Sequence, residues 1–405
     1  MKWQKILIWI GLLLLSESFA IAQNTGAGNG TAQSAQQKLA DLVKPVVDFF
    51  GKPLHPTVSQ VAPGGGISAG VGFTPAPWCA GTCSISLRAS GSVKQYWVLD
   101  ANATYQAGNR FHAEAYGHAR HMTELPFFGI GDQTIITQET DFRYQERTIG
   151  GMGWVRFVPW LALGSRLEQL WPSVGSGFNS SVPSIGQRFT ELSAPGLTAQ
   201  PAFTRYQGFV DFNYPAAGLS ERRGTDIKIA YNVFHDDDNK GYSFRRVEAE
   251  GREHFSVWGP DRKLTFHGLV SMAQTDAGQN VPFYLQETLG GATNLLGFHE
   301  SLIGGDESIA TLRGYRDFRF RDRDLVLLQT EFRQKLWGPI DISAFTDAGK
   351  VARTSQDLGL THLRHDFGVS LSLMRGPATV ARFDFAFGGA EGTHGFLSPG
   401  RVIGQ

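Results

Sequence analysis

Ile340-Asp341-Ile342-Ser343-Ala344-Phe345-Thr346-Asp347 sets Ile340, Ile342, Ala344 and Thr346 against Asp341, Ser343, Phe345 and Asp347. Successive side chains of a β-strand point to opposite faces. Period two with one apolar face therefore describes a strand with lipid or core on one side and a polar space on the other. Ile227, Ile229, Tyr231 and Val233 repeat the pattern against Lys228, Ala230 and Asn232. By parity Asp347 goes with Asp341 and Ser343, which places it inward.

Outward from that stretch, the chain reads strand, turn, strand from Pro53 to its end. Candidate strands fall near residues 55–62, 66–74, 84–92, 96–105, 111–121, 140–157, 160–171, 203–214, 226–235, 242–255, 263–275, 324–335, 338–348, 364–374, 379–387 and 393–403, sixteen in all. An even count suits a single-chain outer-membrane barrel, in which short turns at one end alternate with longer loops at the other. Short connections fall at Val158-Pro159-Trp160, Pro215 to Gly224, Trp258-Gly259-Pro260-Asp261, Trp337-Gly338-Pro339 and Arg375-Gly376-Pro377. Long ones run from Pro172 to Pro201, Asp236 to Gly241, Thr275 to Arg323 and Gly349 to Arg364. Trp160, Trp258 and Trp337 all sit at short turns, as an aromatic girdle at one membrane interface would require.

Composition agrees. Among 405 residues, 37 basic and 37 acidic side chains cancel, which removes the basic field that a nucleic-acid partner needs. Beyond the N-terminus no run is long and apolar enough for a transmembrane helix. Glu331, Arg333, Lys335, Asp341, Asp366, Arg382 and Asp384 fall mainly on the inner parity of the last strands. Against lipid each would cost a few kcal/mol near the midplane, so a polar interior is expected.

Two short patterns stand apart: Leu312-Arg313-Gly314-Tyr315, inside the long connection, and Phe345-Thr346-Asp347-Ala348-Gly349, at the end of the alternating strand. Arginine beside glycine lets a loop turn tightly while presenting a forked cation, and an inward Asp is its natural bidentate partner. Taken alone, Arg-Gly-aromatic is a solvated arginine in a polar loop. Together with Pro282-Phe283-Tyr284, Gly290-Gly291 and Arg319-Phe320-Arg321-Asp322, the pair resembles the barrel of the BamA/TamA superfamily, the bacterial surface antigen domain. The likeness extends more weakly from about Leu54 to the C-terminus.

That resemblance implies a loop that tucks back inside the barrel, with Leu312, Arg313, Gly314 and Tyr315 as its tip. Phe345, Asp347 and Gly349 would be the wall residues it meets, and Glu331 and Asp341 are competing acceptors. The fold class expected is all-β: a transmembrane antiparallel β-barrel of about 16 strands, with an inward-folded loop and a short N-terminal helical leader. The function implied is assistance in inserting or translocating proteins, or lipid, at the outer membrane of a Gram-negative-type bacterium. The alternative is a passive channel or structural surface barrel. Outer-membrane lipid and client outer-membrane or secreted proteins are the partners implied, with no nucleic acid, no cofactor, no metal and a monomeric state. Two features depart from the family. The interval from Gln23 to about Pro53 is too short for a polypeptide-transport-associated (POTRA) domain, and the chain ends Arg401-Val402-Ile403-Gly404-Gln405 instead of on an aromatic residue.

Residues 1–22 read as a signal peptide, with Lys2 and Lys5, an apolar core from Ile6 to Leu15 and Ala20-Ile21-Ala22 before Gln23. Residues 23–53 would be a periplasmic leader, in which Leu39, Leu42, Val43, Val46, Val47 and Phe50 have helical spacing, and residues 54–405 the barrel. The two cysteines, Cys79 and Cys83, lie in Trp-Cys-Ala-Gly-Thr-Cys. In an exported chain a disulfide is expected, with free thiols or a metal site lacking two further ligands as alternatives.

No enzyme is expected. Gly66-Ile67-Ser68-Ala69-Gly70 matches the nucleophile elbow, but Val71, Gly72 and Phe73 continue a strand where a helix should start. Asp236-Asp237-Asp238-Asn239-Lys240-Gly241 begins like a calcium loop, yet Lys240 holds the fifth place and Val247 the twelfth, where a bidentate Glu belongs. Of three histidines on one candidate strand, His112 and His118 share a face and His121 takes the other.

Overall fold

The computed structural model describes residues 53–62, 64–215, 223–291, 311–375, 378–388 and 391–399. The signal peptide expected over 1–22 and, apart from Pro53, the helical leader over 23–53 lie outside the described residues, as does the C-terminal Arg401 to Gln405. Among the described residues there are eighteen strands: β1 (Leu54–Gln60), β2 (Ile67–Phe73), β3 (Cys83–Ser92), β4 (Trp97–Ala107), β5 (Phe111–Phe127), β6 (Thr140–Val158), β7 (Leu161–Ser176), β8 (Phe203–Pro215), β9 (Arg223–Asp236), β10 (Phe244–Ser256), β11 (Arg262–Gln274), β12 (Glu287–Leu289), β13 (Phe320–Asp322), β14 (Asp324–Trp337), β15 (Ile340–Ala352), β16 (Arg364–Arg375), β17 (Ala378–Phe387) and β18 (Thr393–Pro399).

Sixteen of these form one sheet in chain order, every neighbour antiparallel, and β12 and β13 make a separate ribbon inside the connection between β11 and β14. The predicted strands correspond to these sixteen, although β5 and β7 run several residues further toward the long-loop end than expected. Among the described residues no helix is long and apolar enough to cross a membrane.

The sheet is not closed, and the expectation of a barrel is corrected here. Among the described residues its strand order ends at β1 on one side and β18 on the other, and no ladder joins them. The two edges have Cα atoms within 8 Å of each other, so the sheet curls round until they nearly meet. Over the described residues the two edge strands cover seven residues each, and they include Pro56 in β1 and Pro399 in β18. Proline lacks an N–H for the ladder, and short, proline-bearing strands are how sheets blunt an edge.

Polarity is inverted relative to a water-soluble sheet. Ile149, Leu167, Tyr231, Val369 and Leu371 point outward and are about half exposed, whereas Arg120, Glu146, Glu168, Arg205 and Arg246 are buried on the inner face. The inner charges pair across strands. Arg120 Nη2 donates to Glu146 Oε1 and Oε2 at 3.1 and 3.0 Å, and Arg205 Nη1 donates to Glu168 Oε2 at 2.9 Å. Trp160, Trp258 and Trp337 are exposed at their short turns. The last of these turns is made tight by Gly338 at φ +53°.

At the long-loop end an aromatic cluster caps the interior. Phe127, Phe142, Tyr144, Phe283 and Tyr284 are almost fully buried, with Phe283 centred 5.1 Å from Phe127 and 5.0 Å from Phe142. Rings meeting edge to face in this way add about 0.5–1.5 kcal/mol per pair beyond area burial. The long connection thus has an anchor of its own before its tip is reached.

Candidate functional site: the loop tip on the inner wall

The long connection folds inward in two steps. Its stem is the β12–β13 ribbon, in which Glu287, Thr288 and Leu289 pair with Asp322, Arg321 and Phe320. Glu287 is held by the wall, where Ser271 Oγ donates to its Oε1 at 2.9 Å and Arg246 Nη1 lies 3.1 Å from the same oxygen, while Arg321 Nη1 donates within the connection to the Phe283 carbonyl at 2.6 Å. Beyond the ribbon, Thr311 pairs with Gly291, and Gly290 N donates to Thr311 Oγ1 at 2.7 Å. Residues 312 to 319 run between this bridge and the ribbon.

Arg313 is the centre of the tip. Its Nε donates to Asp347 Oδ2 at 2.8 Å and its Nη2 to Asp347 Oδ1 at 2.7 Å, a fork-to-fork pair, and its backbone N–H reaches the same carboxylate at 3.2 Å. The remaining arm, Nη1, donates to Glu331 Oε2 at 3.1 Å and lies 3.6 Å from Asp384 Oδ1. Phe345 lies beneath, with its ring centroid 3.4 Å from the guanidinium carbon. Burial alone would lower the arginine's pKa, but Asp347, Glu331 and Asp384 outweigh it and raise the value further. A buried guanidinium needs this many acceptors, because an uncompensated one costs several kcal/mol.

The wall extends the network. Arg382 donates to both Glu331 oxygens, at 2.9 and 2.7 Å, and to Asp384 Oδ1 at 2.9 Å, while Ser370 Oγ donates to the same Asp384 oxygen at 2.5 Å. β14, β15, β16 and β17 are thereby tied together from the inside through one loop residue and one wall arginine.

Backbone fit is equally close. Gly314 N donates to Asp366 Oδ2 at 2.9 Å. A Cβ added at Gly388 would lie 1.5 Å from the Gly314 carbonyl oxygen, so only glycine is accommodated where β17 leaves the sheet. Tyr315 packs at 5.3 Å against Phe320, and Leu312 is fully buried with Leu289 and Leu325. Gly349 meets other neighbours than the tip: a Cβ there would lie 2.9 Å from the Val326 carbonyl on β14 and 3.1 Å from Leu289, so its missing side chain serves the close approach of β14 and of the ribbon.

Of the competing acceptors, Glu331 joins Asp347 in holding Arg313, while Asp341 lies opposite Lys335, six residues along β15 from Asp347. Sequence reasoning placed Asp366, Arg382 and Asp384 inside but did not link them to the loop. It missed Gly388 altogether, and it quoted Arg319 only within a motif. Arg319 Nη1 donates to Thr134 Oγ1 and Nη2 to the Thr134 carbonyl, both at 2.7 Å, and Nε lies 2.5 Å from Glu391 Oε1. One side chain thus spans the β5–β6 and β17–β18 connections. Pairing across 185 residues to Thr134 and 72 to Glu391 leaves no local spacing by which sequence could have found it.

Elsewhere, Cys79 and Cys83 are joined as a disulfide with Cα atoms 5.4 Å apart. Ser68 lies in mid-strand, opposite Ser59 and Ser92, with no helix after it. Asp236 is occupied by backbone: Lys240 N and Tyr242 N donate to its Oδ2 at 2.7 and 3.0 Å. His118 faces Glu146 inside, and His121 accepts from Trp97 Nε1 outside at 3.0 Å. Among the described residues no group of three His, Cys, Asp or Glu side chains could hold a metal.

Two solved structures share this arrangement of strands. The BamA from Haemophilus ducreyi lacking POTRA domains 1-3 is similar with a TM-score of 0.57 at 12% identity, over 84% of this chain and 69% of that one. CdiB from Escherichia coli is similar with a TM-score of 0.53 at 11% identity, over 86% of this chain and 61% of that one. The likeness is one of fold, to outer-membrane barrel proteins. This chain spans less than two thirds of the CdiB chain. No protein-family model matches the sequence, and no curated protein matches it.

Proposed function

We propose that this protein resides in the outer membrane of a Gram-negative-type bacterium and assists the insertion or translocation of proteins there. The unjoined seam between β1 and β18 carries this reading. In hydrocarbon every backbone N–H and C=O must be satisfied, so an open edge facing lipid is untenable unless something pairs with it. An extended segment of a client can supply the missing ladder by edge addition. The outward apolar belt supports membrane residence, and the docked loop supports a wall that holds its shape while the seam exchanges partners. A passive channel is the weaker reading, because the inner charges are engaged with one another.

The test is site-specific photocrosslinking in cells. A photoreactive residue at Leu54, outward and well exposed on β1, is expected to capture a newly exported outer-membrane protein. The same probe at Ile229, outward on β9 in the middle of the sheet, is expected to capture none. Equal yields at the two positions, or none at Leu54, would refute a working seam.

A further inference from the structure

The outward face of β5 to β7 has a feature that the seam does not use. From Arg143 to Phe157 the outward positions of β6, and all those of β7, carry no carboxylate, yet two of them are Arg143 and Arg147. Among the described residues neither arginine makes a hydrogen bond or ion pair, and Arg143 Nε is buried without an acceptor. The Arg143 guanidinium lies against the backbone of Gly175, where a Cβ would come within 2.4 Å of Nη2. Asp141, the nearest carboxylate on the outward side of β6, accepts from Asn179 N in the loop above at 2.8 Å through Oδ2, and its Oδ1 is buried without a partner.

His121 adds a third unmatched donor. Its Nδ1 accepts from Trp97 Nε1 at 3.0 Å, which leaves the proton of the neutral ring on Nε2, an atom that is buried beside the patch and has no partner within the protein. In the ladder, Gln145 stands opposite His121 on one side and Ser173 on the other, and Arg147 stands opposite Trp171. The patch is thus a cluster of N–H donors bordered by Trp97 and Trp171, both exposed.

Its height decides what could meet it. Arg147 lies ten residues from Phe157, which is outward and exposed near the short-turn end of β6. Ten residues of strand span about 33 Å. At a tilt of about 40° that is roughly 25 Å along the membrane normal, the height of the apolar band of such proteins. Arg147 and Arg143 therefore stand at the upper border of the band, on the long-loop side, at the level of lipid headgroups, where tryptophans also collect. Arginine forks match phosphate geometry.

We propose that the outward patch of His121, Arg143 and Arg147 binds the phosphate of a phosphorylated lipid in the long-loop leaflet. The assignment rests on the outer-membrane reading above but not on the seam. Full-length protein is reconstituted in phosphatidylcholine nanodiscs containing either a phosphorylated glycolipid or its dephosphorylated form, and lipid retention is read by native mass spectrometry. Wild type is expected to retain the phosphorylated form about tenfold better, the size of one charge-assisted hydrogen bond. Arg143→Gln with Arg147→Gln should abolish the preference, and Arg147→Lys should keep most of it. Arg245→Gln, on the outward face of β10, should leave it unchanged. Equal retention of the two glycolipids by wild type, or a preference that survives in the double variant, would overturn the proposal while leaving membrane residence intact. Displacement of the glycolipid by millimolar inorganic phosphate would reassign the patch to a free anion and overturn it as well. Failure to float with vesicles of either composition would overturn the outer-membrane reading and this inference with it.

Discussion

Two regions of one sheet are finished in opposite ways. From β14 to β17 the inner wall is bound through Arg313, Asp347, Glu331, Arg382 and Asp384, each side chain paired with at least one of the others. At the β1 and β18 edges, strands half the length of β14 come close without pairing. The difference lies in what each region would pay if left unpaired. A buried arginine without its acceptors is destabilising by several kcal/mol, so the loop tip has one acceptable position. A strand edge also needs its backbone groups paired, but any extended segment can supply that ladder, so its partner is exchangeable. Rigidity on one side is thus compatible with exchange on the other.

The comparison can be broken at its strong side first. Arg313→Ala and Asp347→Ala are each expected to cost about 3–5 kcal/mol of loop docking, seen as new protease cleavage between Arg316 and Arg323. The double variant should be little worse than either single, because the two mutations remove the same pair; fully additive losses would show that the pair is not the lock. Lys at 313 should not rescue, since it supplies neither the fork to Asp347 nor the planar stack on Phe345.

Hydrogen exchange sharpens the contrast next. Amides of β1 and β18 are expected to exchange at least about a hundredfold faster than those of β14 and β15, the spread expected between a fraying edge and a cooperative core. Comparable protection at both would mean that the seam is closed in solution.

Gly388→Ala is the third test. With 1.5 Å between the new Cβ and the Gly314 oxygen, the tip must shift, at a cost of about 1–3 kcal/mol typical of overpacking. Protease sensitivity should appear in the loop while β1 exchange stays as in wild type; a change confined to the seam would contradict the separation of the two regions.

The smallest effect is one of pH. Asp322, in the ribbon and outside the sixteen-stranded sheet, has its carboxyl pushed up to about 6 by burial, against the pull of the Arg323 backbone N–H and of Arg353 and Arg323. A carboxyl with a raised folded pKa contributes stability below its unfolded value, and that contribution is lost as pH rises through about 6. Loop cleavage should therefore increase modestly between pH 4 and pH 7, and Asp322→Asn should flatten the profile. An unchanged slope in that variant would assign the effect to another group.

What the sequence determined by itself is what repeats or alternates. Strand positions followed from period two, the inward parity of Asp347 from its place after Asp341 and Ser343, and the polar interior from charges that lipid would reject. The loop tip was visible only because Arg313-Gly314-Tyr315 and Phe345 to Gly349 were read together. The tertiary structure alone decided which wall groups complete the site. Arg382, Asp384 and Asp366 reach it through cross-strand register, Gly388 through a backbone approach that leaves no mark in composition, and Arg319 by joining connections at opposite ends of the chain. Closure was decided there too. Alternation gives every strand two faces but says nothing of whether the first strand reaches the last, since that depends on strand length, proline placement and the accumulated curl of sixteen strands.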